Sequence, residues 1–263
     1  MHKFFMIVAL MFVISSTCAY AGDTNHDGYE TILFPIAFPG TSSDTVPGLL
    51  GTQWQGEIWV HNASAATVFS QPTAPCQFEQ CVGPVSPQFT GRFIPGIWPG
   101  GGRPLLISPL ARDAASLTFS NRIFEVTRHA QPQGFQVPVV REGDFLNGPS
   151  DYLGIPGGAG VRTTLRIYDP RRVSGTSVQV QLIDDKNTIV RGTVVTTTFS
   201  DGTPFDVVQP GYASIDVGAV FPEVQSLPRY QLRLIPSRPG DEYWAMASVT
   251  DNDTQQVLII TPQ

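Results

Sequence analysis

Val178-Gln179-Val180-Gln181-Leu182 alternates apolar and polar side chains residue by residue, and Tyr230-Gln231-Leu232-Arg233-Leu234 repeats the pattern later in the chain. A period of two sends the apolar side chains to one face of an extended strand and the polar ones to the other, which suits a sheet with one face in a core and one in water. Outward from these two segments, strand-like stretches cover residues 31–37, 54–62, 67–70, 105–108 and 117–127. A second series covers 135–140, 162–168, 177–183, 188–198, 212–217, 230–235, 243–250 and 256–261. Turn formers separate them, among them Asp184-Asp185-Lys186-Asn187, Asp201-Gly202 and Asp251-Asn252-Asp253. No segment carries a long helical pattern with caps. Short strands spaced by turns predict an all-β chain of sandwiches rather than a βαβ sheet.

Composition agrees. Of 263 residues 41% are apolar, enough for a core, while only 14% are charged and Gly (25) and Pro (23) are plentiful, as turn-rich β structure requires. The formal charge of −6 and a pI near 5.1 give no field that would gather nucleic acid or anionic lipid.

Met1-His2-Lys3 is a short positive start, 4–14 is apolar, and Ala19-Tyr20-Ala21 has the form of a signal-peptidase site. Residues 1–21 therefore read as a signal peptide cleaved after Ala21, followed by a polar tail at 22–30. The mature protein is expected to be secreted, periplasmic or extracellular, and no later apolar run reaches membrane-spanning length. A lipoprotein at Cys18 is the minor alternative, because Ser15-Ser16-Thr17 lacks the Leu and small residue that would precede the cysteine. Cys76 and Cys81 then remain, and in an oxidising compartment they are expected to close a tight loop by a disulfide, contributing about 2–3 kcal/mol in the loop-entropy model. A metal site there lacks a second cysteine or histidine pair.

The two halves look related. Leu33-Phe34-Pro35-Ile36 resembles Gln136-Val137-Pro138-Val139, and the strand 54–60 resembles 162–168. The expectation is two tandem immunoglobulin-like or fibronectin-like β-sandwiches. Domain 1 spans 31–127 and carries a long Pro/Gly-rich loop at 71–104; a linker at 128–134 leads to domain 2 at 135–263. One large sandwich is the alternative.

The stretches YETILFPIAFPG and LLGTQWQGEIWVHN near the front, VPVVREGDF in the middle and YWAMASVTDNDTQQVLIITPQ at the end resemble a group of secreted, β-rich bacterial proteins, acidobacterial ones among them, to which no activity attaches. The resemblance runs through most of the mature chain. It implies secretion and a β fold.

Chemistry is sparse. Beyond Lys3 the chain has a single lysine, Lys186, in a turn-like run, which excludes a Walker loop and a Schiff-base enzyme. The glycine-rich runs 99–102 and 156–160 open no helix and cannot cradle phosphate. There is no H-E-x-x-H and no G-x-S-x-G. Glu57, Trp59 and His61 fall on one face of an alternating strand, as a base or metal pair or, more simply, as a surface pair. The pairs Asp184/Asp185, Asp241/Glu242 and Asp251/Asp253 could hold Ca²⁺ or act as glycosidase carboxylates, but all sit where turns are expected. Asp23, Asn25 and Asp27 match the start of a calcium loop whose twelfth position is Phe34, so any calcium site is weak. Phe78, Phe89, Phe93 and Trp98 lie on the cysteine-bearing loop, as a contact surface or as a cover folded back on the first sandwich. Trp54, Trp59 and Trp244 are expected in the core. The function these features suggest is non-enzymatic: structure, adhesion or recognition of an unknown protein or glycan at the cell surface. A carbohydrate-binding module and a hydrolase using paired carboxylates are the alternatives.

Overall fold

The two alternating pentapeptides lie on neighbouring antiparallel strands, with Val180 opposite Leu234 and Leu182 opposite Leu232. The structure, a computed structural model, describes residues 28–38, 45–68, 70–71, 84–93, 102–127, 133–170, 175–198 and 210–263. Its strands are β1 (Ile32–Ala37), β2 (Val46–Pro47), β3 (Gln53–Asn62), β4 (Ser70–Gln71), β5 (Thr90–Arg92) and β6 (Arg103–Pro109). They continue as β7 (Leu117–Glu125), β8 (Gln133–Val137), β9 (Val140–Arg141), β10 (Ser150–Pro156), β11 (Val161–Asp169) and β12 (Ser177–Ile183). The last are β13 (Ile189–Thr196), β14 (Gly211–Asp216), β15 (Arg229–Pro236), β16 (Trp244–Asp251) and β17 (Val257–Ile260). Helix among the described residues amounts to α1 (Ala111–Ala114), α2 (Val217–Val220) and a few 3-10 turns. The protein is all-β, built from antiparallel sheets.

The sheets run β4-β6-β1-β9, β2-β3-β7-β8 with β5 beside β3, β10-β15-β12-β13, and β14-β11-β16-β17. Inward residues of the first two share one cluster, in which Ile32, Phe34, Leu105 and Ile107 meet Ile58, Val60 and Leu117. The last two share another, where Val180, Leu182, Leu232 and Leu234 meet Leu165, Ile167, Ala245 and Ala247. A third cluster joins the pairs: Leu33 and Leu106, on the opposite faces of β1 and β6, meet Tyr168, Trp244 and Met246 of β11 and β16. The sheets therefore stack in layers, with the β1–β6 and β11–β16 sheets innermost. This explains why β1 is an unbroken apolar run instead of an alternating one, since all six of its residues are buried. Gly56 serves the same packing: a Cβ there would lie 2.7 Å from the Phe38 ring, so the bare backbone of β3 is what lets that ring close the layer.

The order of pairing repeats along the chain. β1 pairs with β6 and β6 with β4; β3 pairs with β5 and β7, and β7 with β8. In the same order β10 pairs with β15 and β15 with β12; β11 pairs with β14 and β16, and β16 with β17. The resemblance of 54–60 to 162–168 thus links strands with the same neighbours, β3 and β11. The resemblance of Leu33–Ile36 to Gln136–Val139 does not survive: residues 133–137 form β8, hydrogen-bonded to β7, and the counterpart of β1 by pairing is β10. Two short apolar runs around a proline look alike without sharing a place in a sheet.

Candidate functional site

Alternation along β3 turns Ile58, Val60 and Asn62 inward and leaves Glu57, Trp59 and His61 on the outer face, together as the sequence suggests. Trp59 is 39% exposed and so is not the core residue expected of it. Trp54 is half-buried against Phe135 and Trp244 is buried in the shared cluster, both as interior side chains.

The register fills in the rest of this face. Thr90 of β5 and Thr118 of β7 flank His61; Arg92 of β5 and Ser120 of β7 flank Trp59. Arg122 of β7 lies opposite Glu57, with Gln136 of β8 beyond it, and Phe124 lies opposite Gln55, with Gly134 beyond. Cross-strand partners point the same way, so these side chains form one surface. It is tied together laterally. Arg92 bridges to Glu57 at 3.1 Å, His61 Nδ1 and the Thr90 hydroxyl are 2.7 Å apart, and Gln136 Nε2 donates to Ser120 Oγ at 2.9 Å. The Arg122 guanidinium rests 5.0 Å above the centre of the Phe124 ring, a cation–π contact. That ring lies over Gly134, where a Cβ would come within 2.5 Å of it. Trp59 and Phe124 sit one strand and four residues apart, about 14 Å by sheet geometry.

The layer below is firm. Asn62 is fully buried at the end of β3; its Nδ2 donates to the carbonyls of Ala66, Val85 and Ser86, and its Oδ1 accepts from Ser64 N and Ser116 Oγ. This fixes the chain that leads into β5. Phe34, Phe93 and Phe119 pack edge-on and stacked beneath β3 and β7, with centroids 5.3–6.2 Å apart.

Of the loop aromatics, Phe93 belongs to this packing and is not a contact residue, while Phe89 is 41% exposed with its ring against Gly91. The loop 71–104 also contributes β5, and with it Thr90 and Arg92. Phe78, Trp98, the Cys76/Cys81 pair, the Asp23/Asn25/Asp27 loop, the signal segment ending at Ala21, and residues 128–132 lie outside the described residues. Asp184/Asp185 and Asp251/Asp253 sit in turns, and Asp241 closes a turn by donating its N–H to the Arg238 carbonyl. Asp184 accepts from the backbone N–H groups of Lys186 and Thr188, and Asp251 from Asp253 N, Thr254 N and the Thr254 hydroxyl. The Thr254 bonds hold the Asp251 carboxyl below its usual range. Among the described residues no cluster of three or more His, Cys, Asp or Glu side chains forms that could hold a metal ion.

Cavities are also found among the described residues. One of about 220 Å³ lies where the halves meet, lined by Trp54, Glu125, Phe135 and Gln255. Another of about 180 Å³ is lined by Gly157, Arg162, Asp216 and Tyr230, and there Arg162 is anchored to Asn252 and Gln255. Neither matches the outer face of β3 and β7 in what it can offer a ligand. That face holds a stacking surface, flat hydrogen-bonding groups and one carboxylate already paired with arginine, which equips it for recognition more than for proton transfer. No helix among the described residues is long and apolar enough to cross a membrane.

No protein-family model, curated protein or solved structure was found to match the chain.

Proposed function

We propose that the protein is a non-enzymatic recognition module, exported to the periplasm or the cell surface by residues 1–21, that binds a glycan through the outer face of β3 and β7. One observation carries the reading. Every outward position on the paired parts of β5, β3, β7 and β8 is aromatic, amide, guanidinium, carboxylate, imidazole, hydroxyl or glycine, and none is aliphatic. An exposed tryptophan held between an ion pair and hydroxyls suits a saccharide, whose C–H face packs on the indole while its hydroxyls bond to the flat polar groups around it.

The architecture that goes with this reading is a tandem of two β-sandwich units, with the boundary after Arg141, where pairing to the first-half strands ends. The repeated pairing order supports duplication. The units share the layering of immunoglobulin-like sandwiches but not their strand order, because an immunoglobulin sheet sets the first strand beside the second, whereas β1 pairs with β6 and β10 with β15. A non-enzymatic role is supported by the carboxylates: Glu57 is held by Arg92, and Asp184 and Asp251 organise turns.

The test is retention on a glycan array by the wild-type protein and by Trp59→Ala. Retention that the substitution removes, with the melting temperature unchanged, supports the proposal. Absence of any retained saccharide, or retention indifferent to Trp59, defeats it.

A further inference from the structure

We infer that the saccharide is an acidic one and that Arg122 is the residue that selects it; this rests on the glycan reading of the face. The charge inventory leads there. Glu57 and Arg92 neutralise one another at 3.1 Å. Arg122 lies across from Glu57 in register, yet its guanidinium turns to the Phe124 ring and pairs with no carboxylate among the described residues. Among the described residues the face therefore carries one positive charge with no acidic partner, on a chain whose formal charge is −6. A guanidinium resting on an aromatic ring keeps its N–H fork free in the plane above the sheet, and that fork matches a carboxylate or sulfate with two parallel hydrogen bonds. Trp59 is one strand over and two residues along, about 8 Å away by sheet geometry, so a sugar ring stacked on the indole brings a charged substituent or its neighbour's within reach of Arg122.

A second copy of the chain fits this face less well. Where two sheets of this protein do seat on one another, the facing residues are Leu33 and Leu106 against Tyr168, Trp244 and Met246. The outer face of β3 and β7 surrounds Trp59 and Phe124 with Gln, Glu, Arg, His, Ser and Thr, which another sheet would bury at a cost and a hydroxyl-rich ligand would satisfy.

The experiment is calorimetric titration of the full mature chain with oligogalacturonate, with a sulfated dextran oligosaccharide, and with neutral oligosaccharides of the same length, for wild type, Arg122→Gln, Arg122→Lys and Trp59→Ala. The expected result is binding of an acidic probe, weakened about tenfold or more by R122Q, less by R122K, and abolished by W59A. Carboxylate and sulfate sources are told apart by which acidic probe binds. Binding of neutral probes as tight as acidic ones, unchanged in R122Q, overturns the inference and leaves the glycan reading standing. Silence of every probe, or self-association through this face that W59A disrupts, overturns both. Arg122 is exposed, and an unchanged melting temperature of R122Q checks that the comparison is between folded proteins.

Discussion

Tyr168→Phe should stabilise the protein, against the usual direction for a buried substitution. Tyr168 is completely buried in the cluster shared by the two halves, its ring 5.9 Å from that of Trp244, and its hydroxyl has no hydrogen-bond partner among the described residues. A hydroxyl taken from water with no described group to bond costs about 1–3 kcal/mol, and removing the oxygen recovers most of that less a little packing. The net expectation is about 1 kcal/mol of added stability, which for a chain of this size raises the melting temperature by about 2–4 °C. Two other buried tyrosines are controls of opposite sign. Tyr152 Oη donates to the Ala245 carbonyl at 2.9 Å and Tyr230 Oη to Thr163 Oγ1 at 2.8 Å, so Tyr152→Phe and Tyr230→Phe each lose a satisfied bond and about 1 kcal/mol. The assay is urea unfolding of the protein followed by tryptophan fluorescence, with matched slopes. A Tyr168→Phe midpoint that falls alongside the two controls refutes the reasoning.

Gly56→Ala should cost about 1–3 kcal/mol, because its Cβ would lie 2.7 Å from the Phe38 ring, while Gly143→Ala, with no atom within 4 Å of the new methyl, should be neutral in the same denaturation assay. Equal effects at the two sites contradict the packing described for β3. Burial raises the hydroxyls of Tyr152, Tyr168 and Tyr243 above the usual value near 10 and pushes Tyr230 up to about 12. Folded-state values above the unfolded one mean that this contribution to stability is whole below pH 10 and is lost as the pH climbs through the folded values. Tyrosinate absorbance from these residues should therefore appear together with loss of near-ultraviolet circular dichroism above pH 10. Full tyrosinate absorbance near pH 10 with the dichroism intact contradicts it.

Alternation made the strands legible where one face is wet, as in β12 and β15, and apolar runs revealed β1 and β6. β10 escaped because Gly154, at a φ of +67°, and a register shift between Tyr152 and Ile155 break its period, and Pro156 ends it. The outer face of β3 and β7, proposed for recognition, was half legible. The period that groups Trp59 with Glu57 and His61 also sets it against Ile58 and Val60, so the strand pattern already pointed Trp59 outward; weight given to tryptophan as a core residue led the other way. Arg122, Phe124 and Gln136 carried no local signal at all. Their role depends on β7 lying beside β3 and β8 beside β7, a long-range register that side-chain periodicity within one strand does not encode. Gly134 reads as a loop residue until β8 is laid down, when it becomes the place where the Phe124 ring rests. Phe93 lies in a stretch rich in Pro and Gly, and only the stack with Phe34 and Phe119 reveals it as core.

A backbone amide shift map, recorded while the isotope-labelled protein is titrated with the saccharide that the array retains, bears on the proposed recognition face with the fewest intermediaries. Perturbations gathered on β3, β5 and β7 around Trp59, Arg122 and Phe124, saturating with the ligand, are what the account predicts. Shifts that collect elsewhere on the protein while these strands stay still would contradict it.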